Sequence, residues 1–140
     1  MAAIPIVLVL LLLSVAVALE VTSVVVTQTL VSQSQDTSSQ AYRYAETGAR
    51  DALVRIARDK TYTCAIEDCY AIDFVTNGCM TNDGCARVSV SAGTGTVGDP
   101  KVITSEGQVR SAIRKVQVEV VYDAALDGEI TSTVWRELTN

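Results

Sequence analysis

Residues 1–19 carry no charged side chain, and after Glu20 a second uncharged stretch extends to Gln35. The run is too long for a buried strand and is rich in Leu, Val and Ala, so it predicts a helix. About 20 apolar helical residues match the roughly 30 Å hydrocarbon core of a bilayer. A helix that is apolar on all sides must be buried, here in lipid, in copies of itself, or in both.

The first basic residue is Arg43, so none precedes the apolar run. A secretory signal peptide starts with a basic region, and basic residues on the cytoplasmic side orient a membrane helix. Either a basic leader has been removed or the chain inserts without such a signal. We expect the first, with a mature chain that begins at Met1.

Residues 21–39 are mostly β-branched, hydroxylic or amide side chains, which suits a strand as well as a helix. We favour a helix for two reasons. The N–H and C=O groups of a helix bond to one another where the chain leaves a membrane, and residues 41–60, which follow, have a strongly helical pattern. In residues 41–60 an apolar stripe recurs at helical spacing beside two acid–base pairs at i, i+4. The stripe comprises Ala45, Ala49, Ala52 and Ile56, and the pairs are Glu46 with Arg50 and Asp51 with Arg55.

Beyond Lys60 the apolar residues no longer recur at helical spacing. They alternate with polar residues, as is typical of half-buried strands. Strands are predicted at 86–92, 101–105, 116–122 and 130–138, with connections at 93–100, Glu106-Gly107 and Asp127-Gly128. The Asp-Gly pair is typical of a tight hairpin.

These patterns predict an α+β fold, in which a long N-terminal helix with an apolar first half packs on a small antiparallel sheet of three or four strands. Residues 1–28 are the expected transmembrane or filament-core helix, and residues 29–60 its amphipathic continuation. Residues 61–140 form the expected disulfide-bearing β-domain.

Four cysteines fall in one short window: Cys64, Cys69, Cys79 and Cys85. In a small exported domain this clustering indicates two disulfides. Three pairings are possible, of which pairing between neighbours in sequence closes the smallest loops. The alternative is a zinc site, but there is no CxxC pair and the chain has no histidine.

No residue combination typical of catalysis is found. Histidine is absent, and the glycine-rich residues 93–98 lack the Lys-Ser/Thr of a phosphate loop. Asp123, Asp127 and Glu129 do not fit the spacing of an EF-hand, so a solvated acidic turn is the simpler interpretation. Residues 61–140 hold eleven acidic and six basic side chains, which disfavours nucleic-acid binding. We expect no enzymatic activity, no cofactor, no metal and no nucleic-acid partner.

Glu20 is the one charged side chain among residues 1–35. It either lies at the headgroup boundary or finds a partner between packed helices, such as the amino terminus of a neighbouring copy. Small residues in the apolar run permit close helix approach. The interface predicted between helices consists of Ala3, Ile6, Val7, Leu10, Leu11, Ser14, Val17, Glu20 and Val24.

The chain resembles the type IV pilins and pseudopilins, and among them the PilX-like pilins. Three segments carry the resemblance. They are the terminus MAAIPIVLV at 1–9, the helix SQAYRYAETGARDAL at 39–53 with its AExGxxxAL pattern, and three segments that resemble the last strands of that group, ITSEG at 103–107, RKVQV at 114–118 and VWREL at 134–138. The likeness extends over the whole chain and is loosest at 64–85.

The resemblance implies a structural subunit of an extracellular filament, held in the inner membrane before assembly. It further implies cleavage before Met1 by a prepilin peptidase, methylation of the new amino group, and polymerisation by a pilus assembly machinery. The family usually has Glu where this chain has Pro5, which leaves open whether the subunit is a major, minor or tip component. A pseudopilin of a secretion system, or a monomeric membrane-anchored adhesin or receptor that binds through 64–85, is the alternative.

Overall fold

The computed structural model describes the backbone of residues 3–66, 68–123 and 129–138, and the side chains of these residues except 3–5 and 17–27. Met1 and the Asp127-Gly128 turn therefore lie outside the described residues. Helix α1 spans Ala3–Arg58, so residues 21–39 are helical rather than extended. The chain divides into two compact units, Met1–Asp36 and Thr37–Asn140.

The second unit is built on an antiparallel sheet. Within the described ranges the strands are β1 (Tyr70–Asp73), β2 (Asp83–Val90), β3 (Lys101–Val109), β4 (Ala112–Tyr122) and β5 (Ile130–Leu138), and a short helix α2 (Gly78–Thr81) lies between β1 and β2. The strands follow one another across the sheet in chain order. The α+β class is confirmed.

Two details of the predicted sheet are wrong. The sheet has five strands instead of three or four, because β1 is only four residues long and lies in the cysteine-rich segment, where no alternation marks it. Glu106-Gly107 is not a connection but lies within β3, opposite Lys115 and Arg114 of β4. The turn comes later, at Arg110, whose φ of 55° is left-handed.

The core lies between the second half of α1 and the inner face of the sheet. On the helix the buried side chains are Ala41, Ala45, Ala49, Ala52 and Ile56, and on the sheet they are Val88, Val90, Ile103, Val116, Val118 and Val120. The predicted stripe and the alternation of β2 and β4 are confirmed.

Small residues let the helix backbone lie very close to β3. A Cβ atom added to Gly48 would lie 2.5 Å from Ser105 Oγ, and one added to Gly107 would lie 2.5 Å from the backbone nitrogen of Ala45. No real Cβ approaches a backbone atom so closely, so this contact requires Gly107, whereas a side chain at Gly48 would force the Ser105 and Val88 side chains to shift.

Lys101 connects the end of α1 to the sheet. Its side chain is buried, and its Nζ donates to the carbonyl oxygens of Lys60 at 2.7 Å and Tyr62 at 2.8 Å. The Tyr122 hydroxyl donates to the same Lys60 oxygen at 3.1 Å. Burial lowers the pKa of Lys101, because the charged form loses its hydration.

The four cysteines form two disulfides, Cys64–Cys69 and Cys79–Cys85, with Cα separations of 5.7 and 4.7 Å. This is the pairing that closes the smallest loops. Cys64 is also joined to the end of β2: its N–H donates to the Val90 carbonyl at 2.9 Å, and its carbonyl oxygen accepts from the Val90 N–H at 2.8 Å. The Cys79 N–H donates to Asp73 Oδ1 at 2.6 Å, which fixes α2 beside β1.

Non-reducing peptide mapping of the native protein is expected to yield the 64–69 and 79–85 linked peptides. Replacing both Cys79 and Cys85 with serine should lower the free energy of unfolding by about 2 kcal/mol, the entropic effect expected for so short a loop. That corresponds to a loss of about 1 M in the urea midpoint, measured by the fluorescence of Trp135, the single tryptophan. Peptides that link one loop to the other would contradict this pairing.

Candidate assembly interface

In the single chain, residues 6–13 of α1 are exposed on every side of the helix. Eight consecutive side chains, residues 6–13, have exposed fractions of 55% to 64%. Eight residues complete more than two turns of a helix and so point in all directions around its axis. Burying one exposed Val or Leu side chain contributes about 1.5–3 kcal/mol, so these half-exposed side chains together account for on the order of 10 kcal/mol.

Within the predicted interface, the structure describes the side chains of five residues. Ile6, Val7, Leu10 and Leu11 are exposed. The Ser14 hydroxyl donates to the Leu11 carbonyl at 2.8 Å, so its polar atom is satisfied within the helix and needs no water. The remaining predicted positions, Ala3, Val17, Glu20 and Val24, lie outside the described side chains.

Among the residues whose side chains are described, no helix contains a stretch long and apolar enough to span a bilayer. The predicted transmembrane segment includes positions 17–27, whose side chains lie outside the described part of the chain.

A second feature of α1 was not anticipated from the sequence. Gln28, Val31, Ser32 and Gln35 surround a depression of about 290 Å³ on the helix surface. The four residues are spaced at i, i+3, i+4 and i+7 and so share one face of the helix. This spacing is visible in the sequence when polar as well as apolar helix faces are considered.

The outer face of the sheet carries a polar cleft of about 210 Å³. Arg87 lines the cleft, and its Nη1 and Nη2 donate to Gln108 Oε1 at 2.7 Å and Asn82 Oδ1 at 3.1 Å. Glu106 pairs with Lys115 at 2.8 Å. Because the charges in the cleft pair with one another, the cleft offers no unbalanced charge for a ligand.

Trp135 lies on β5 with 38% of its surface exposed. The guanidinium carbon of Arg50 lies 5.8 Å from the centre of its ring, so the tryptophan packs against the polar side of α1. Arg50 also forms the predicted pair with Glu46 at 2.6 Å, and Arg55 pairs with Asp51 at 2.7 Å. These exposed i, i+4 pairs contribute about 0.3–0.5 kcal/mol each.

The predicted acidic turn and glycine-rich connection have structural explanations. The Asp123 N–H donates to the Glu129 carbonyl at 3.0 Å, which closes the base of the β4–β5 hairpin, while Asp127 lies outside the described residues. In the 93–100 connection, Asp99 Oδ2 accepts from the Thr94 N–H at 2.8 Å and from its hydroxyl at 3.0 Å. These hydrogen bonds lower the pKa of Asp99.

Comparison with known proteins gives no assignment. No protein-family model, no curated protein and no solved structure matches the chain.

Proposed function

We propose that this chain is a structural, non-enzymatic subunit of an extracellular type IV pilus or pilus-like filament, which polymerises through α1. One observation carries the proposal: residues 6–13 are apolar and exposed all around the helix. A helix of this kind is stable only when it is surrounded. Copies of the same helix can replace lipid as surroundings at little hydrophobic cost, because lipid tails and Leu side chains are equally apolar.

The second unit supports the same role. Its core is closed between the sheet and the second half of α1, and its two disulfides suit an oxidising, exported location. The resemblance to type IV pilins adds the expected route: residence in the inner membrane, processing by a prepilin peptidase and assembly by the pilus machinery.

A membrane-anchored adhesin or receptor is the second candidate. It is favoured by two exposed apolar side chains in the disulfide-bearing segment, Ile66 at 78% and Met80 at 85% exposure. Such side chains can anchor a protein partner.

Electron microscopy of native surface material distinguishes these candidates. If the proposal holds, filaments containing this chain are seen, and antibodies against the second unit label them along their length. Dispersed monomers without filaments under any growth condition would contradict the pilin proposal and favour the anchored module.

A further inference from the structure

The depression on α1 has the geometry of a helix-packing site. Its four residues, Gln28, Val31, Ser32 and Gln35, stand at i, i+3, i+4 and i+7. In knobs-into-holes packing, four residues of one helix form a hole that receives one side chain of the facing helix. We call this site the helix hole. Val31 is 55% exposed, so the apolar part of the helix hole is open to solvent in the single chain.

The same helix carries a side chain suited to such a hole. Leu30 is 60% exposed, and Leu30 and Val31 are the large exposed apolar side chains between positions 28 and 40. At about 100° per residue, Leu30 points about 150° away from the centre of the helix hole. Knob and hole therefore lie on opposite faces of one helix.

Opposite faces determine the kind of assembly. A two-fold dimer uses the same self-complementary patch on both subunits, whereas a knob on one face and a hole on the other join copies head to tail. A head-to-tail contact repeats, and it gives an open helical filament wherever the rotation between copies does not close a ring.

The surrounding residues suit contact between identical copies. No charged side chain lies between Glu20 and Asp36, so no like charges meet and no ionised group loses its water. Within the described part of the chain, the amides of Gln28 and Gln35 form no side-chain hydrogen bond. Each amide thus offers donors and an acceptor to a neighbouring helix at the rim of the helix hole.

We infer that Leu30 of one copy inserts into the helix hole of a second copy, and that this contact repeats along the filament. The inference rests on the proposed function and extends it, because it defines a specific contact between copies in the polar part of α1, beyond the apolar residues 6–16. The partner is another copy of this chain.

Cysteine cross-linking tests the contact. A chain carrying both Leu30→Cys and Ser32→Cys places its two new thiols on opposite faces of the helix, where they cannot bond within one chain. All four native cysteines are already paired. After mild oxidation of filaments, non-reducing electrophoresis is expected to show a ladder of dimers, trimers and longer chains. Peptide mapping should confirm that the native disulfides are retained.

The matched control mixes separate chains that carry Leu30→Cys and Gln33→Cys, since Gln33 is exposed but points about 150° away from the helix hole. It is expected to give no cross-linked dimers. If the double variant does not assemble, mixed filaments of separate Leu30→Cys and Ser32→Cys chains should give dimers that neither chain gives alone.

The outcomes separate the two proposals. Filaments that give neither a ladder nor mixed dimers, or that cross-link equally with the control pair, overturn the inference and leave the proposed function standing. If the unmodified chain forms no filaments, the proposed function fails and the inference fails with it.

Discussion

Replacing Leu11 with arginine is expected to abolish filaments. Leu11 lies within the exposed apolar residues 6–13, with 59% of its surface exposed in the single chain. An arginine at the centre of an apolar helix costs about 2.5–3.5 kcal/mol on insertion scales. Because every subunit carries the change, the cost recurs at each helix contact, and electron microscopy should find no filaments in material that contains the full-length chain.

The matched control is Val97→Arg. Val97 is 87% exposed in the connection between β2 and β3, where an arginine side chain remains in water, so filaments should form at the normal yield. Both variants should retain the same urea midpoint by Trp135 fluorescence, which shows that the second unit is folded. Normal filaments from the Leu11→Arg variant would contradict the proposed role of α1.

The second large effect is expected inside the second unit, from Gly107→Ala. The added Cβ would lie 2.5 Å from the Ala45 nitrogen and closer still to the Ala41 carbonyl oxygen, both of them backbone atoms of α1. A side chain cannot rotate away from a helix backbone, so the helix must move off the sheet. Overpacking of this kind costs about 1–3 kcal/mol, or more where the neighbour is rigid.

For a domain of this size, each kcal/mol lowers Tm by about 4–8 °C, so thermal unfolding followed by Trp135 fluorescence should show a loss of about 10–20 °C. Gly98→Ala is the control, because no atom lies within 4 Å of the Cβ it would add. Its free energy of unfolding should change by less than about 0.5 kcal/mol. Equal stability of the two variants would show that α1 is not held against β3 as described.

How the helix meets the sheet depends on residues that sequence reasoning interpreted differently. Glu106-Gly107 suggested a turn, because glycine often marks one. In the structure Gly107 lies within β3, two residues before its end, and faces the backbone of Ala41 and Ala45. Sequence alone does not distinguish a glycine needed for a turn from one needed for a close approach, since the second depends on which element packs opposite.

The candidate interface was predictable only in its apolar part. The uncharged run and its helical conformation follow from composition and length, and so does the need to surround it. The helix hole was missed because three of its four residues are polar, and an analysis of apolar periodicity does not select them. β1 was missed for a related reason: four residues between two disulfides carry too little pattern to identify a strand.

The sequence by itself determined the local features of this protein: the helix from its apolar and alanine-rich periodicity, the longer strands from their alternation, and the presence of four closely spaced cysteines in a chain without histidine. These depend on neighbours along the chain. Only the tertiary structure decided the pairing of the cysteines, the burial of Lys101 against two carbonyl oxygens, and the close contact of α1 with β3. The Lys101 contacts and the approach of α1 to β3 depend on distances between residues far apart in sequence, which are fixed only when the sheet closes on the helix. The paired cysteines are near neighbours in sequence, but the choice among three pairings depends on how the chain folds between them.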